Sequence, residues 1–349
     1  MPAGARLKGD TLKLETYNSF VYEFLSSIKK VKPNWEVYKT MKEIFISFII
    51  PVYNGSHFIK QCVHTLLNQK YTHWEAIFIN DGSNDNTQEL LIRESNLDNR
   101  IKVFQQTNQG AAVARNKGIE LSSGDYITFL DVDDTLSELF LDTLTKQVSN
   151  EIDIIVCSFN IIKENKIIKR KKYTPRVFSK LEYLKKVLTG HAGWELWGKL
   201  YKKELFTVPL ITPQDIRIGE DASIFIQLIT RSNKIKVLSK ALYNYIQYES
   251  SASHIRSTKY AEETLQAGYF IERILKNESF YHMIKKEIGG MFLLFYSNST
   301  RKGYLGLSHP LVYNIYKTYY SYQTLQTIPF IKRIYVTISL LFGQFLSKL

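Results

Sequence analysis

The sequence predicts an α/β protein: a mostly parallel central sheet with helices on both faces, followed by a helical C-terminal region. Three observations carry that prediction. Between residues 44 and 134, four apolar, β-branched runs alternate with segments of helical spacing, and such alternation demands parallel strands joined by crossover helices. Each run gives way to a polar cluster, and ligands in such sheets sit beyond the carboxyl ends of the strands. From about residue 258 the strand signal stops, and Tyr, Phe and Lys recur in helix-like segments.

Taken in order, residues 1–42 carry no strong periodicity and read as an extension outside the main fold, with Met41 as a natural alternative start. Ile44–Ile50 is nearly all apolar, as a strand buried on both faces requires, and Pro51-Val52-Tyr53-Asn54-Gly55 stops it. Residues 56–69 place Phe58, Cys62, Leu66 and Leu67 near helical spacing. Ala76–Ile79 is a second strand with Asn80-Asp81-Gly82-Ser83 as its turn, and 85–94 is a helix with Leu90 and Leu91 facing inward. Ile101–Phe104 is a third strand and 110–121 an Ala-rich helix. Tyr126–Leu130 is a fourth strand, ending in Asp131-Val132-Asp133-Asp134. Ile152–Cys157 is a further strand, and residues 163–186 hold ten Lys or Arg, a basic arm over a hairpin or loop. Trp194–Tyr201, a helix containing Glu220-Asp221 and a strand with Tyr243, Tyr245 and Tyr248 follow. The expected organisation is an extension (1–42), a main domain (43–257) divided near residue 135, and a helical region (258–349).

Composition removes several function classes. With 349 residues and 44% hydrophobic side chains the chain supports a sizeable core, which excludes global disorder. Cys62 and Cys157 are too few for a disulfide framework or a Cys-based zinc site, which fits a reducing compartment. No run of eighteen uninterrupted apolar residues exists, and the first forty residues hold no apolar signal core. Lys and Arg number 46 against 33 Asp and Glu, a net charge of +13. That surplus points to an anionic partner: nucleic acid, a phosphorylated small molecule or a lipid surface. No nucleic-acid motif accompanies it, so nucleic acid is not expected.

Asp131-x-Asp133, with Asp134 beside it, stands where the fourth strand gives out. Strand alternation would put Asp131 and Asp133 on one side, where like charges repel unless a cation neutralises them. A hard divalent ion that also takes substrate phosphates is the physical solution. The alternative is Asp134 or Ser137 capping a helix over 138–147, which explains one or two of the acids but not the run. Asp81 stands in a turn-like cluster, and either accepts from a nucleobase or is a turn residue beside a helix capped by Asn84 or Asp85. Asn108–Gly118 opens a helix with small residues, and helix N-termini favour phosphate; Arg115 reaches a diphosphate or base edge from it, while Lys117 is equally a solvated charge. Glu220-Asp221 opens an otherwise apolar helix, either as acids favoured by the helix dipole or as a general base for an acceptor hydroxyl. Trp194 and Trp197 are core residues or sugar-stacking faces. His254 touches a metal or diphosphate, or neither.

Together these blocks resemble the nonprocessive family 2 glycosyltransferases of bacteria. The resemblance is carried by Ser47–Asn54, Asn80–Thr87, Asn108-Gln109-Gly110 with Ala114–Gly118, Gly124–Ile127 with Phe129–Asp134, Trp197–Tyr201, Gly219-Glu220-Asp221 and Tyr243-Asn244-Tyr245. It implies a glycosyltransferase A-type (Rossmann-like) fold, with residues 43–135 binding nucleotide and 136–257 binding acceptor. It implies inverting transfer of one sugar from a nucleotide sugar, most often a UDP-sugar, to a glycan or lipid-linked saccharide of the bacterial surface. Pro51, Tyr53, Asn54, Asp81 and Arg115 would hold the nucleotide, and Asp131 ribose or sugar. Asp133 would hold Mn²⁺ or Mg²⁺ with the diphosphate, Asp221 would be the base, and Glu220, Trp194 and Trp197 would place the acceptor.

Two features depart from the pattern. Gly55-Ser56-His57 replaces an acidic pair the family often has, and the Gln-x-x-Arg-Trp motif of processive synthases is absent. A nucleotidyltransferase would want a Gly-rich loop with Lys or Arg, which Pro51–His57 does not supply. A catalytically idle nucleotide-sugar-binding scaffold fits poorly with Asp81, Asp131, Asp133 and Asp221 all being present. Ile328–Leu349 is apolar with Lys332, Arg333 and Lys348 at its flanks, too short and interrupted for a span. It is expected either to lie in a membrane interface, placing the protein at the inner face of the cytoplasmic membrane, or to be a buried helix.

Overall fold

In the computed structural model the first apolar run is β1 (Ile46–Val52), buried throughout except at Pro51. The structure describes residues 43–211, 219–248, 257–302 and 305–346, and residues 44–349 form one unit. The expected extension at 1–42 and His254 lie outside the described residues.

β1 has β2 (Trp74–Asp81) on one edge and β4 (Tyr126–Phe129) on the other, with β3 (Ile101–Gln106) beyond β2; all run parallel. A strand with two neighbours and two covered faces has no wet side, which is why it reads as an unbroken apolar run. β1 continues through Pro51 instead of stopping there. Pairing with β4 ends at Ile49 and Phe129, so Pro51, which lacks an N–H, falls where one neighbour has already been lost. The crossovers are α1 (Ile59–Leu67), α2 (Thr87–Ser95) and α3 (Ala111–Leu121). On α2, Leu91 is buried and Leu90 half-buried. Gly118 lets α3 lie directly on the sheet: a Cβ there would come 2.5 Å from the Ile49 side chain.

The second half of the sheet is mixed. β5 (Thr135–Leu136) is followed by the short α4 (Phe140–Thr145), then β6 (Ile154–Lys163), β7 (Lys166–Lys171), β8 (Arg176–Ser179) and α5 (Lys180–Leu188). β9 (Lys199–Lys202), α6 (Glu220–Arg231) and β10 (Lys234–Ile246) complete it. The order is β3-β2-β1-β4-β9-β6-β10-β5, with β7 on β6 and β8 on β10. β9 is antiparallel to both β4 and β6, whereas β6 and β10 are parallel. Hence β1, β2, β3, β4, β6 and β10 all deliver their carboxyl ends to one rim.

Alternate residues of the strands feed two cores, as strand periodicity requires. Phe48, Ile50, Phe78 and Ile155 face one core with α1 and α4, while Ile49, Ile77, Ile127 and Val156 face the other. The latter runs on through α5 and α6 into α7 (Thr258–Leu275), α8 (Lys285–Lys302), α9 (Pro310–Tyr319) and α11 (Phe330–Leu346), with α10 (Tyr322–Leu325) between the last two.

Candidate active site

The site assembles at the rim where chain order reverses, between β1 and β4. The loop after β1 is bonded to the loop after β2. Asn54, in left-handed conformation (φ 50°), donates its N–H to Ser83 Oγ at 2.9 Å and accepts from the Asn84 N–H at 2.9 Å. The Gly55 N–H donates to Thr87 Oγ1 and the Ser56 N–H to Asp85 Oδ2. Asp85 also accepts from the Thr87 N–H at the start of α2, so it serves that helix end from just before it. Gly55, the departure from the family pattern, is sterically required here. A Cβ would meet Val52 at 2.7 Å and Val132 at 3.3 Å, so glycine lets this loop pack on the acidic loop after β4. Tyr53 stands exposed in this loop, near half-buried Pro51.

Asp81 is the last residue of β2 and pairs with Gln106, rather than standing in a turn. It is 2% exposed. Its Oδ1 accepts from Gln106 Nε2 (2.8 Å) and the Gln109 N–H (2.9 Å), and its Oδ2 from the Gly110 N–H (2.8 Å). The carboxylate therefore fastens the chain entering α3, the helix that carries Arg115.

Arg115 is the centre of the site. It is 5% exposed, on the inward face of α3 with Ala114 and Gly118. Its Nη1 donates to Asp221 Oδ1 at 2.8 Å and its Nη2 to Asp131 Oδ1 at 3.2 Å; Glu220 Oε1 lies 3.8 Å from Nη1. One guanidinium thus joins the end of β4 to the first turn of α6. Burial alone would weaken its hold on the proton, but Asp221, Asp131 and Glu220 outweigh burial and raise its pKa. Burial, opposed by Arg115 and reinforced by Asp221, brings Asp131 to about 6. Burial and the neighbouring Asp221 lift Glu220 to about 7. Gly219, at φ 92°, sets the two acids at the start of α6; a Cβ there would strike Ala267 at 2.7 Å.

The two remaining acids of the β4 loop have different fates. Asp134 is 1% exposed and accepts from the Tyr243 hydroxyl (2.6 Å) and the Ile246 N–H (2.8 Å), which ties the loop to the end of β10. It caps no helix. α4 starts after Leu139, five residues beyond Asp134, and has no side-chain cap. Asp133 is half-buried, burial raises its pKa, and no other described residue donates to its carboxylate. The fourth strand has ended at Phe129, so strand alternation does not govern where these acids point.

Trp197 is a core residue. It is 7% exposed, stacked on Tyr243 (4.3 Å between ring centres) and Tyr245 (5.7 Å), with the Phe159 ring edge-on at 4.8 Å. Those contacts replace the open sugar-stacking face expected of it. Trp194 is half-buried with its ring edge-on to Phe295 of α8. Lys199, 3% exposed, donates to the Glu195 and Trp197 carbonyls and lies over the Phe225 ring, and burial lowers its pKa. Tyr243 and Lys199 are structural parts of the site whose roles went unread in the sequence. The only signal was that a buried Tyr hydroxyl or ammonium must find a partner.

Asp131, Glu220 and Asp221 thus meet a single guanidinium, with Asp133 and Asp134 close to Asp131, so that acids outnumber the cation. Among the described residues, no three His, Cys, Asp or Glu side chains converge to hold a metal by themselves. Asp133, a carboxylate with no cationic partner among the described residues, fits a hard cation that completes its shell with water and substrate phosphate.

The glycosyl transferase family 2 model matches residues 47–206. The glycosyltransferase EpsJ of Bacillus subtilis (strain 168) is 33% identical over 235 residues, covering 64% of this chain and 67% of EpsJ. The glycosyltransferase GlyA of Streptococcus pneumoniae serotype 4 is 31% identical over 234 residues, 64% of this chain, but the match spans only 33% of GlyA. Among solved structures, S. aureus TarS in complex with UDP-GlcNAc shares the fold, with a TM-score of 0.63 at 19% identity over 82% of each chain. The chain belongs to glycosyl transferase family 2 and is a glycosyltransferase with a glycosyltransferase A-type fold.

Proposed function

We propose that this glycosyltransferase moves one sugar, with inversion, from a UDP-sugar to a hydroxyl of a glycan or lipid-linked saccharide, using Mn²⁺ or Mg²⁺ at Asp133. The observation that carries the reading is the meeting of Asp131, Glu220 and Asp221 on Arg115. Asp221 gives Oδ1 to Arg115, and its Oδ2 accepts from no other described residue. The guanidinium fixes the carboxylate's orientation and leaves Oδ2 for the acceptor hydroxyl proton that a base must remove. Glu220, at about 7, is partly protonated at neutral pH and donates to an acceptor oxygen. Asp131, held by Arg115, faces the ribose or donor sugar. Asp81 acts at one remove, by fixing the entry to α3, while Tyr53 and Asn54 wall the nucleotide. A cation bound at Asp133 would neutralise charge growing on the departing diphosphate. The TarS complex with UDP-GlcNAc supports a UDP-sugar as donor.

We place the enzyme at the inner face of the cytoplasmic membrane, attached peripherally. No described helix is long and apolar enough to cross a bilayer. On α11, however, Phe330, Ile331, Ile334 and Ile338 are exposed while Val336 and Leu340 pack inward. An apolar face left open to solvent suits an interfacial helix.

The test is UDP release from a panel of UDP-sugars, with and without Mn²⁺. Turnover of one donor that requires the cation is expected; no turnover and no binding of any nucleotide sugar would overturn the reading.

A further inference from the structure

The hairpin of β6 and β7 takes no part in the chemistry described above, yet it grows from the same rim. Lys166, Lys169, Arg170, Lys171 and Lys172 fall within seven residues, and every residue of β7 is exposed. No ion-pair partner for any of the five occurs among the described residues. β7 pairs with β6 alone, which leaves its other edge without a strand partner among the described residues. A single edge lysine suffices to discourage strand addition. Five unpaired cations exceed that need and repel one another, and an anionic ligand relieves the repulsion.

The register fixes where this charge lies. Phe159 of β6 pairs with Tyr243, whose hydroxyl holds Asp134, and on its other edge pairs with Lys171. Lys171 is therefore level with the acidic loop. From Phe159 the hairpin runs about 13 Å further out, at ~3.3 Å per residue, to a turn at Glu164 and Asn165, both at positive φ (50° and 61°). β7 also lies along the edge of β6 that β9 occupies lower down, which is the edge toward β4 and its acids.

We propose that the β6–β7 hairpin docks the acceptor, and that the acceptor is a phosphate-bearing glycan chain. The five cations hold its phosphates while one of its hydroxyls reaches Asp221, so this inference rests on the glycosyltransferase reading above. A flexible polyanion is favoured over a membrane because the strip stands level with the acidic loop and reaches both faces of β7: the register, shifted by a bulge at Ile168, puts Lys166, Lys169 and Lys171 on one face and Arg170 on the other. A flat bilayer meets one face, whereas a chain wraps both. Ile167 and Ile168, about half exposed, offer apolar surface between the charges to the carbon faces of sugars.

The test compares K166E/K169E/R170E/K171E with a control of equal charge change elsewhere on the surface, K60E/K117E/K146E/K317E. All eight side chains are exposed, so both variants should melt with the wild type. The probe is a fluorescent linear inorganic polyphosphate, read by anisotropy over a salt series. Wild type and control should bind alike, and the hairpin variant about tenfold or more weaker with a shallower salt slope. Vesicles of phosphatidylglycerol, against phosphatidylcholine, form a second arm. Equal polyphosphate affinity in the two variants overturns the proposal. So does hairpin-dependent vesicle binding without polyphosphate binding, which would make the strip a membrane contact. UDP release from the UDP-sugar is measured on all three proteins and should be unchanged; its absence from the wild type would instead sink the glycosyltransferase reading while leaving the polyphosphate result standing.

Discussion

Replacing Arg115 by Met keeps most of the length of a buried side chain and removes its charge. The wild-type guanidinium spans Asp221 at 2.8 Å, Asp131 at 3.2 Å and Glu220 at 3.8 Å. Breaking a buried ionic cluster from one side costs about 3–5 kcal/mol, because the abandoned carboxylates stay desolvated. That cost must depend on pH. Glu220 faces Asp221, Arg115 and Asp131, and titrates at about 7 in the fold against 4.5 normally. Between those values the folded chain holds the proton that the unfolded chain releases. Stability therefore falls as pH rises through this window, and the penalty is complete above pH 7. Arg115 is what limits the penalty, by pulling the Glu220 pKa down against burial and Asp221. Without it the pKa climbs further, and each added unit costs about 1.4 kcal/mol at pH 8 but almost nothing at pH 5, where Glu220 is already protonated. Urea unfolding of wild type and Arg115→Met at pH 5 and pH 8 should show the larger loss at pH 8, by at least about 1 kcal/mol. An equal loss at both pH values, or a variant as stable as the wild type, would refute the hub.

Other outcomes follow from the same geometry. Asp221→Asn retains an oxygen for Arg115, so UDP-sugar binding should persist while transfer falls about 10²- to 10⁴-fold. A rate within twofold of the wild type would pass the base role elsewhere, with Glu220 the first candidate. Asp133→Ala should abolish the Mn²⁺ dependence of donor binding in calorimetry; an unchanged dependence places the cation on other ligands. Trp197→Ala should cost about 3–5 kcal/mol in unfolding, because its ring lies in an aromatic stack, whereas a selective rise in acceptor KM at full stability would restore it to the acceptor site. Deleting the C-terminal helix is a poor membrane test, since Val336 and Leu340 belong to the core. Phe330, Ile331, Ile334 and Ile338, all changed to Ser, should instead abolish sedimentation with anionic vesicles and leave the melting temperature in place.

What the sequence reveals of this fold depends on what chooses each residue. β1, β2 and β4 are buried along every position but Pro51, so water has no say in their composition and they read as apolar runs. β6 is buried only as far as Phe159, and β7 is exposed throughout, so beyond Phe159 the pattern is set by solvent and charge. Lys-Ile-Ile-Lys-Arg-Lys accordingly reads as a basic arm, and the antiparallel half of the sheet stays hidden.

The site divides in the same way. Asp131, Glu220 and Asp221 are legible because each is an acid at the end of an apolar element. Their grouping is not, because Arg115 bonds across 16 residues to Asp131 and across 106 to Asp221. A local signal did exist. Arg115 shares the inward stripe of α3 with Ala114 and Gly118, while Lys117 falls off it and stays exposed. A cation on the buried face of a helix must have carboxylates waiting for it. Glu220-Asp221, at the start of a helix buried from Ala222 to Thr230, offered the partners that burial demands. Read with that requirement, the helix phase of Arg115 points to a tie between the two halves of the sheet, and the same desolvation that makes the tie costly to break fixes Asp221, the proposed base, in place.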